Sequence, residues 1–362
     1  MTVDTPQPQP WILPPETNQQ LDWAELVLVD LSKWDQPGGK QELAETLKHG
    51  SSHDGFWAVT NSGISEEEIF EIFAYGKHFF DDYTLEQKRA VEVDFASGNY
   101  FGYKPIANKA LFGTEVRDNL ETFNIAKFTL DGRFSQYHAN DFIQNHQRKL
   151  EHISRKAFGV ADKLLRLFAL ILELDEDYFV SRHLYDDPSD DSLRYIKYTP
   201  RTAEDDAQVE NIWSRAHTDF GTLTLLFNQV VAGLQIKLST GEWKYVKPVL
   251  GGIICNVGDT LNFWSGGYFK TTIHRVVRPP QDQIDAPRIG AFYFVRPGDN
   301  AEIEVAPLPL LKRLGLYRET KPIGGTEYVR KRVQDYHNRE GYEKRNEAKF
   351  RVGEFEINDG FD

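Results

Sequence analysis

Cysteine is nearly absent. Cys255 is the only one in 362 residues, which excludes an internal disulfide framework and points to a reducing compartment. Its neighbours, Gly251-Gly-Ile-Ile-Cys-Asn-Val257, read as a buried strand rather than as the setting of a catalytic thiol. No apolar run reaches membrane-spanning length, and the opening Met1-Thr-Val-Asp-Thr-Pro-Gln-Pro-Gln-Pro10 lacks a secretory signal. The closing Gly-Phe-Asp is no peroxisomal address. The expectation is a cytoplasmic protein without a membrane partner. Positive charge is also short: 42 Lys and Arg against 55 Asp and Glu give a net charge of −13. Nucleic-acid phosphates need a basic surface, so that class of partner is disfavoured. The local basic triplet Arg330-Lys-Arg332 reads as a solvated helix face. No internal repeat is visible.

What is present is ample core material, 40% hydrophobic and 13% aromatic residues, in a chain long enough for one large or two ordinary domains. Residues 1–20 are rich in Pro and Gln and read as a flexible arm. Leu26–Leu31 reads as a strand, 39–49 as a helix, and Phe56–Thr60 as a strand ending in the Asn61-Ser-Gly63 turn. Ser65-Glu-Glu-Glu68 is a capping-box start for a helix with apolar Ile69, Phe70, Ile72, Phe73 and Tyr75. Residues 92–128 look irregular, with Tyr100–Tyr103 and Glu121–Asn124 as short ordered pieces. A long helix is expected over about 139–173. From Leu193 to Val295 the texture changes to short strands and Gly turns, a pattern that suggests a double-sheet jelly roll. A last helix over about 324–340 precedes a charged tail.

Chemistry concentrates in that strand-rich part. His217 and Asp219 form the chain's only His-x-Asp, and the alternating run Leu223-Thr-Leu-Leu-Phe227 follows. If both lay in one strand, imidazole and carboxylate would share a face. His274, in Lys270-Thr-Thr-Ile-His-Arg-Val-Val277, supplies a third ligand of suitable type from another expected strand. Two imidazoles and one carboxylate are the facial set of non-haem Fe(II) oxygenases. Arg288 opens the run Arg-Ile-Gly-Ala-Phe-Tyr-Phe-Val295, where a guanidinium needs a partner, either a protein carboxylate or a ligand's. His49, His53, His78, His138, His146, His152, His183 and His337 lack such company and read as solvated or structural.

Four ordered blocks carry a resemblance. They are Gly55–Ile64, Leu193-Arg-Tyr-Ile-Lys-Tyr-Thr-Pro200, His217-Thr-Asp219, and Gly258–Val277 continuing to Arg288. Together they resemble the Fe(II)/2-oxoglutarate-dependent dioxygenases of the isopenicillin N synthase-like type, and Leu193–Pro200 is also similar to fungal thymine 7-hydroxylase. The resemblance implies an α+β fold, a double-stranded β-helix (jelly-roll) core with flanking helices. It divides the chain into the arm 1–20, a mostly helical region 21–185, the catalytic core 186–300 and a C-terminal helix and tail 301–362.

The implied activity is oxidation of a C–H bond of a small molecule, a secondary metabolite or nucleobase-like compound, with release of succinate and CO2. Fe(II), 2-oxoglutarate and O2 are the implied cofactors. His217, Asp219 and His274 would hold the metal, with no catalytic residue beyond them, and Arg288 and Tyr198 would hold 2-oxoglutarate. Arg194, Phe220, Trp264 and Phe294 are substrate-pocket positions. Residues 92–128 and the C-terminal helix are the expected lid.

The chain departs from the family pattern at Gly290, where relatives carry a serine that helps bind the co-substrate, and at Ile196 and Thr199. Either a donor is missing at Gly290 or something packs closely against it. Two other readings share the ligand set: an oxidase that uses no 2-oxoglutarate, and a non-catalytic metal-binding jelly roll.

Overall fold

The computed structural model describes residues 7–338 and 348–359. Twelve strands build its two principal sheets. In chain order they are β1 (Leu28–Asp30), β2 (Phe56–Thr60), β3 (Gly102–Lys104), β4 (Leu120–Ala126), β5 (Ser192–Tyr198), β6 (Ile212–His217), β7 (Leu223–Phe227), β8 (Leu234–Lys237), β9 (Trp243–Tyr245), β10 (Ile253–Val257), β11 (His274–Val277) and β12 (Arg288–Val295). The larger sheet runs β1-β2-β10-β7-β12-β5-β4-β3, and the smaller runs β6-β11-β8-β9. The two face each other as the expected jelly roll.

Period-2 alternation decides which side chains enter the space between the sheets. On β12, Ile289, Ala291, Tyr293 and Val295 join the main core, where they meet the helices. Arg288, Gly290, Phe292 and Phe294 therefore point inward between the sheets. The same split runs through β5, with Leu193 and Tyr195 in the core and Ile196 and Tyr198 in a separate inter-sheet cluster with Trp213 and Val276. Burying each large apolar side chain is worth roughly 1.5–3 kcal/mol, so a one-residue slip in register would exchange two faces and is strongly disfavoured.

Helices Gly39–His53, Glu66–Asp82 and Asp141–Ile171 cover the outer face of the larger sheet. The second begins with the expected capping box, Ser65 accepting from Glu68 N while the Glu68 side chain accepts from Ser65 N. Gly76 in it faces Tyr195, whose ring would stand 2.6 Å from an added Cβ, so this helix can approach the sheet only with glycine there. The long helix starts at Asn140, whose side chain accepts from Ile143 N. Ile143, Leu150, Ile153, Ala157, Leu164 and Phe168 form its buried stripe.

Several expectations change. The stretch 92–128 is not irregular throughout, since β4 pairs with β5 along its whole length, from Leu120↔Tyr198 to Ala126↔Ser192. Its polar Thr122 and Asn124 face the inter-sheet cavity, which hid the strand's amphipathic pattern. The arm is docked from Trp11 onward: Trp11 is buried and stacks on Phe73 at 5.3 Å, and Thr17 donates to Asp282 at 2.8 Å. The Pro/Gln composition concealed that anchor, and residues 1–6 lie outside the described part. The charged tail contains the hairpin Ala348–Val352 and Phe355–Asp359, with Phe350, Val352, Phe355 and Ile357 buried. Arg332 is not on a solvated face. It is completely buried, whereas Lys331 is exposed and pairs with Glu327.

Candidate active site

His217, Asp219 and His274 come together as expected, with potential ligand atoms all within 4.8 Å of one another. The route differs from the sequence argument. His217 is the last residue of β6, and Asp219 lies in the loop beyond it. Strand alternation therefore does not aim the carboxylate; the loop and its anchors do. Asp259 N donates to Asp219 O at 2.8 Å, while Thr224 Oγ1 and Asn256 Nδ2 donate to Asp219 Oδ2 at 2.7 and 2.9 Å. The two histidines are cross-strand partners, His274↔His217, with ring centroids 4.4 Å apart.

Each imidazole is oriented by its own backbone neighbourhood. His217 Nδ1 lies 2.8 Å from Arg215 O, and His274 Nδ1 lies 3.0 Å from Thr272 O. Protonated Nδ1 donating to those carbonyls leaves the Nε2 lone pairs to face the centre. Nε2 of His217 and of His274 are 4.0 and 3.8 Å from the Asp219 oxygens. Burial pushes the Asp219 pKa up, but positive charge on His274 and His217 together with the two donors outweighs it and holds it at about 2, so the carboxylate is ionised; a bound metal cation would supply that charge beside neutral rings. Two neutral nitrogens and one anionic oxygen fit Fe(II) in its facial arrangement.

Arg288, Gly290 and Phe292 lie further along the same cavity. Arg288 is 4% exposed, and its guanidinium lies 4.6 Å from the Tyr198 ring centroid. With the Gln229 amide turned so that its oxygen faces the guanidinium, it accepts from Arg288 Nη2 at 3.0 Å, while Nε has no partner. Among the described residues no carboxylate pairs with Arg288, which leaves a buried cation for an anionic ligand to neutralise. At Gly290 the structure favours one of the two alternatives. The Phe292 ring would stand 2.6 Å from an added Cβ, so an aromatic packs closely against this position.

Of the substrate-pocket positions, Arg194, Phe220 and Phe294 line the cavity, and Trp264 does not. Trp264 is completely buried in the core, where its Nε1 donates to Glu302 O at 3.0 Å and its ring packs on Phe179. A tryptophan shortly before a candidate metal ligand carries no signal of which way its helix faces. The expected lid elements do reach the cavity, with Tyr100 and Lys109 from one side and Tyr336 and His337 from the C-terminal helix Gly325–Asn338. His337, read from sequence as ordinary, stacks on Phe95 at 3.7 Å. Arg332 of the same helix was missed as well: it reaches Asp259 Oδ2 and Thr218 Oγ1, both at 3.4 Å, and lies over Phe220. Its apolar-face position in the helix was the available signal.

Residues 189–297 match the 2OG-Fe(II) oxygenase superfamily, and residues 26–145 match the N-terminal domain described as "non-haem dioxygenase in morphine synthesis N-terminal". A 2-oxoglutarate-dependent dioxygenase of Gibberella zeae is 32% identical over 267 residues, 73% of this chain and 77% of that protein. A full-length Neurospora crassa protein solved in complex with alpha-KG is similar at a TM-score of 0.73 and 25% identity, over 85% of this chain and 95% of that one. The same Neurospora crassa protein solved with alpha-KG and thymine gives 0.73 and 25%, over 86% and 97%. No described helix is long and apolar enough to cross a membrane. With the relatives, the jelly roll and the His-Asp-His cluster in agreement, the chain belongs to the 2OG-Fe(II) oxygenase superfamily and is an oxygenase that uses Fe(II), 2-oxoglutarate and O2.

Proposed function

We propose that His217, Asp219 and His274 hold the iron, that Arg288 with Tyr198 holds the distal carboxylate of 2-oxoglutarate, and that Arg194, Phe220 and Phe294 bound the substrate space. The observation that carries this reading is the buried Arg288 guanidinium, which faces no carboxylate among the described residues. A cation so placed favours the co-substrate reading over an oxidase without 2-oxoglutarate, which would have no anion to set against it. Fe(II) bound with 2-oxoglutarate and O2 supplies oxidative decarboxylation to succinate and CO2 and oxidation of a substrate C–H bond.

The chain's own residues orient and shield. Thr224 and Asn256 fix Asp219, the backbone carbonyls of Arg215 and Thr272 fix the imidazoles, and Tyr198 backs the Arg288 fork. Tyr336 narrows the entrance, 5.9 Å from His217 and 5.4 Å from Phe220 between ring centroids. We read 186–300 as the catalytic core, 21–185 as its helical support, and 301–362 as contributing the cavity's cover. The substrate is a small molecule, of secondary metabolism or nucleobase-like, in a cytoplasmic setting that suits the one free, buried cysteine. Thymine in the solved relative supports the small-molecule part.

Anaerobic titration of the Fe(II)-loaded protein with 2-oxoglutarate, followed by the visible charge-transfer band and then by succinate formation on admitting O2, tests the assignment. Asp219→Ala, His217→Ala and His274→Ala are each expected to lose iron, band and turnover while keeping the fold. Full turnover in any one of them would sink the ligand set.

A further inference from the structure

Besides Arg288 the cavity is lined by Arg194, Arg215 and Arg296, and two of these, Arg194 and Arg296, stand together. Arg194 comes from β5 and Arg296 follows directly on β12. Both guanidiniums lie over the same two rings: Arg194 Cζ is 4.2 Å from the Tyr100 centroid and 4.5 Å from that of Phe294, and Arg296 Cζ is 5.6 and 5.5 Å away. Arg194 Nε donates to the neutral Asn124 Oδ1. Arg194 Nη2, Arg296 Nη1 and Asn124 Nδ2 are buried and have no hydrogen-bond partner. Neither arginine is in an ion pair among the described residues. The nearby Asp191 carboxylate already accepts from Arg296 N at 2.6 Å and Tyr293 Oη at 3.4 Å, and lies 3.9 Å from Lys127 Nζ.

Two like charges and three unmet donors in one shielded place are unfavourable unless an anion with several acceptor oxygens completes them. Burial and the neighbouring Arg296 weaken the charged form of Arg194, while Tyr100 and Asp219 oppose them without restoring it. The rest of the protein is acidic, so the surplus is local to this cavity.

We infer that the substrate is a small carboxylic acid whose carboxylate is gripped by Arg194 and Arg296 beside Asn124, with an apolar body lying toward the iron ligands. This deepens the iron and 2-oxoglutarate reading of the same cavity and rests on it. The co-substrate does not meet the requirement itself. Arg288 pairs with Tyr198 and Phe292 with Arg194 in the β12–β5 register, which sets the two sites about 13 Å apart along the sheet. Phe220 and Phe294 supply apolar walls for the body. A carboxylate offers oxygens to both guanidiniums and to the amide, whereas a neutral carbonyl would leave one cation unmatched.

The test is calorimetric titration of the anaerobic Fe(II)–2-oxoglutarate holoenzyme with phenylacetate and cinnamate, against phenylacetamide, cinnamamide and thymine. Each carboxylate is expected to bind at least about tenfold tighter than its amide, since a charge-assisted hydrogen bond is lost in the amide. Arg194→Gln and Arg296→Gln should each remove that preference while retaining the 2-oxoglutarate charge-transfer band, which also reports that the variants are folded. Arg194→Lys should fall between, keeping the charge and losing the fork. The inference is overturned if no carboxylate binds better than its amide or than thymine, or if the preference survives in both Gln variants. Absence of the band in the unaltered protein would instead overturn the iron and 2-oxoglutarate reading, so the two failures are distinguishable.

Discussion

Among single residues, the site depends on who meets each buried charge. Arg288→Lys keeps the charge and loses the planar fork, so the Michaelis constant for 2-oxoglutarate should rise by on the order of ten- to a hundredfold, from the loss of a charged hydrogen-bond pair. Steady-state kinetics with varied 2-oxoglutarate measures it, and unchanged constants in both Arg288→Lys and Arg288→Ala would make the arginine structural. Gly290→Ser places a Cβ 2.6 Å from the Phe292 ring, which must then shift. The expected result is weaker 2-oxoglutarate binding despite the added hydroxyl, read by titrating the charge-transfer band. Tighter binding would restore the view that a donor is simply missing there. From sequence alone the chemical identity of these residues was legible, and strand alternation puts Phe292 on the face of Gly290, but only packing decides that its ring leans back over the glycine.

Among the elements, the C-terminal helix ties the Asp219 loop to the rest of the fold. Arg332 and Asp259 are both fully buried and paired, Tyr328 Oη donates to Asp259 at 2.8 Å, and Asp259 N holds the Asp219 carbonyl. Removing one partner of a buried ion pair costs about 3–5 kcal/mol because the other charge is left unmatched. Arg332→Met is therefore expected to lower the thermal midpoint and to loosen iron retention, whereas Lys331→Met, at an exposed i,i+4 pair, should do neither. Calorimetric melting and metal analysis on the two variants check this, and equal behaviour of the pair would remove the helix from the site's support. The basic triplet looked uniform in sequence. Helical phase separates its members, since only Arg332 falls on the face turned inward.

For the molecule as a whole, burial of uncharged histidines sets an acid limit. His146 and His183 are both held at about 4 by desolvation, against an ordinary value of 6.5, with His78 adding to the first and Lys127 to the second, where a backbone acceptor at Phe179 opposes the shift. Between those two values the unfolded chain binds more protons than the folded one, so stability rises with pH across that window and is lost as pH falls from 6.5 toward 4. The loss should amount to a few kcal/mol, on the order of 1.4 kcal/mol per pKa unit for each group. Urea denaturation at a series of pH values in the metal-free protein measures the slope, which His183→Gln should flatten. A slope unaffected by that change would place the acid sensitivity elsewhere.

Reaction class and most of the strands were legible in local pattern. A His-x-Asp, a later His and an Arg at the head of an apolar run have few physical uses, and period-2 alternation survives wherever one face is apolar. That pattern fails for β4, whose inward face is polar for the cavity's sake, and for the docked Trp11, whose partner Phe73 is distant in sequence. Packing in three dimensions was needed to aim Asp219 by its loop anchors rather than by a strand and to assign Trp264 to the core. It was needed too for Arg194, Arg296 and Asn124 to present their unmet donors in one cavity. Most of these are relations between segments far apart in the chain, and only folding brings such segments within hydrogen-bonding or van der Waals reach.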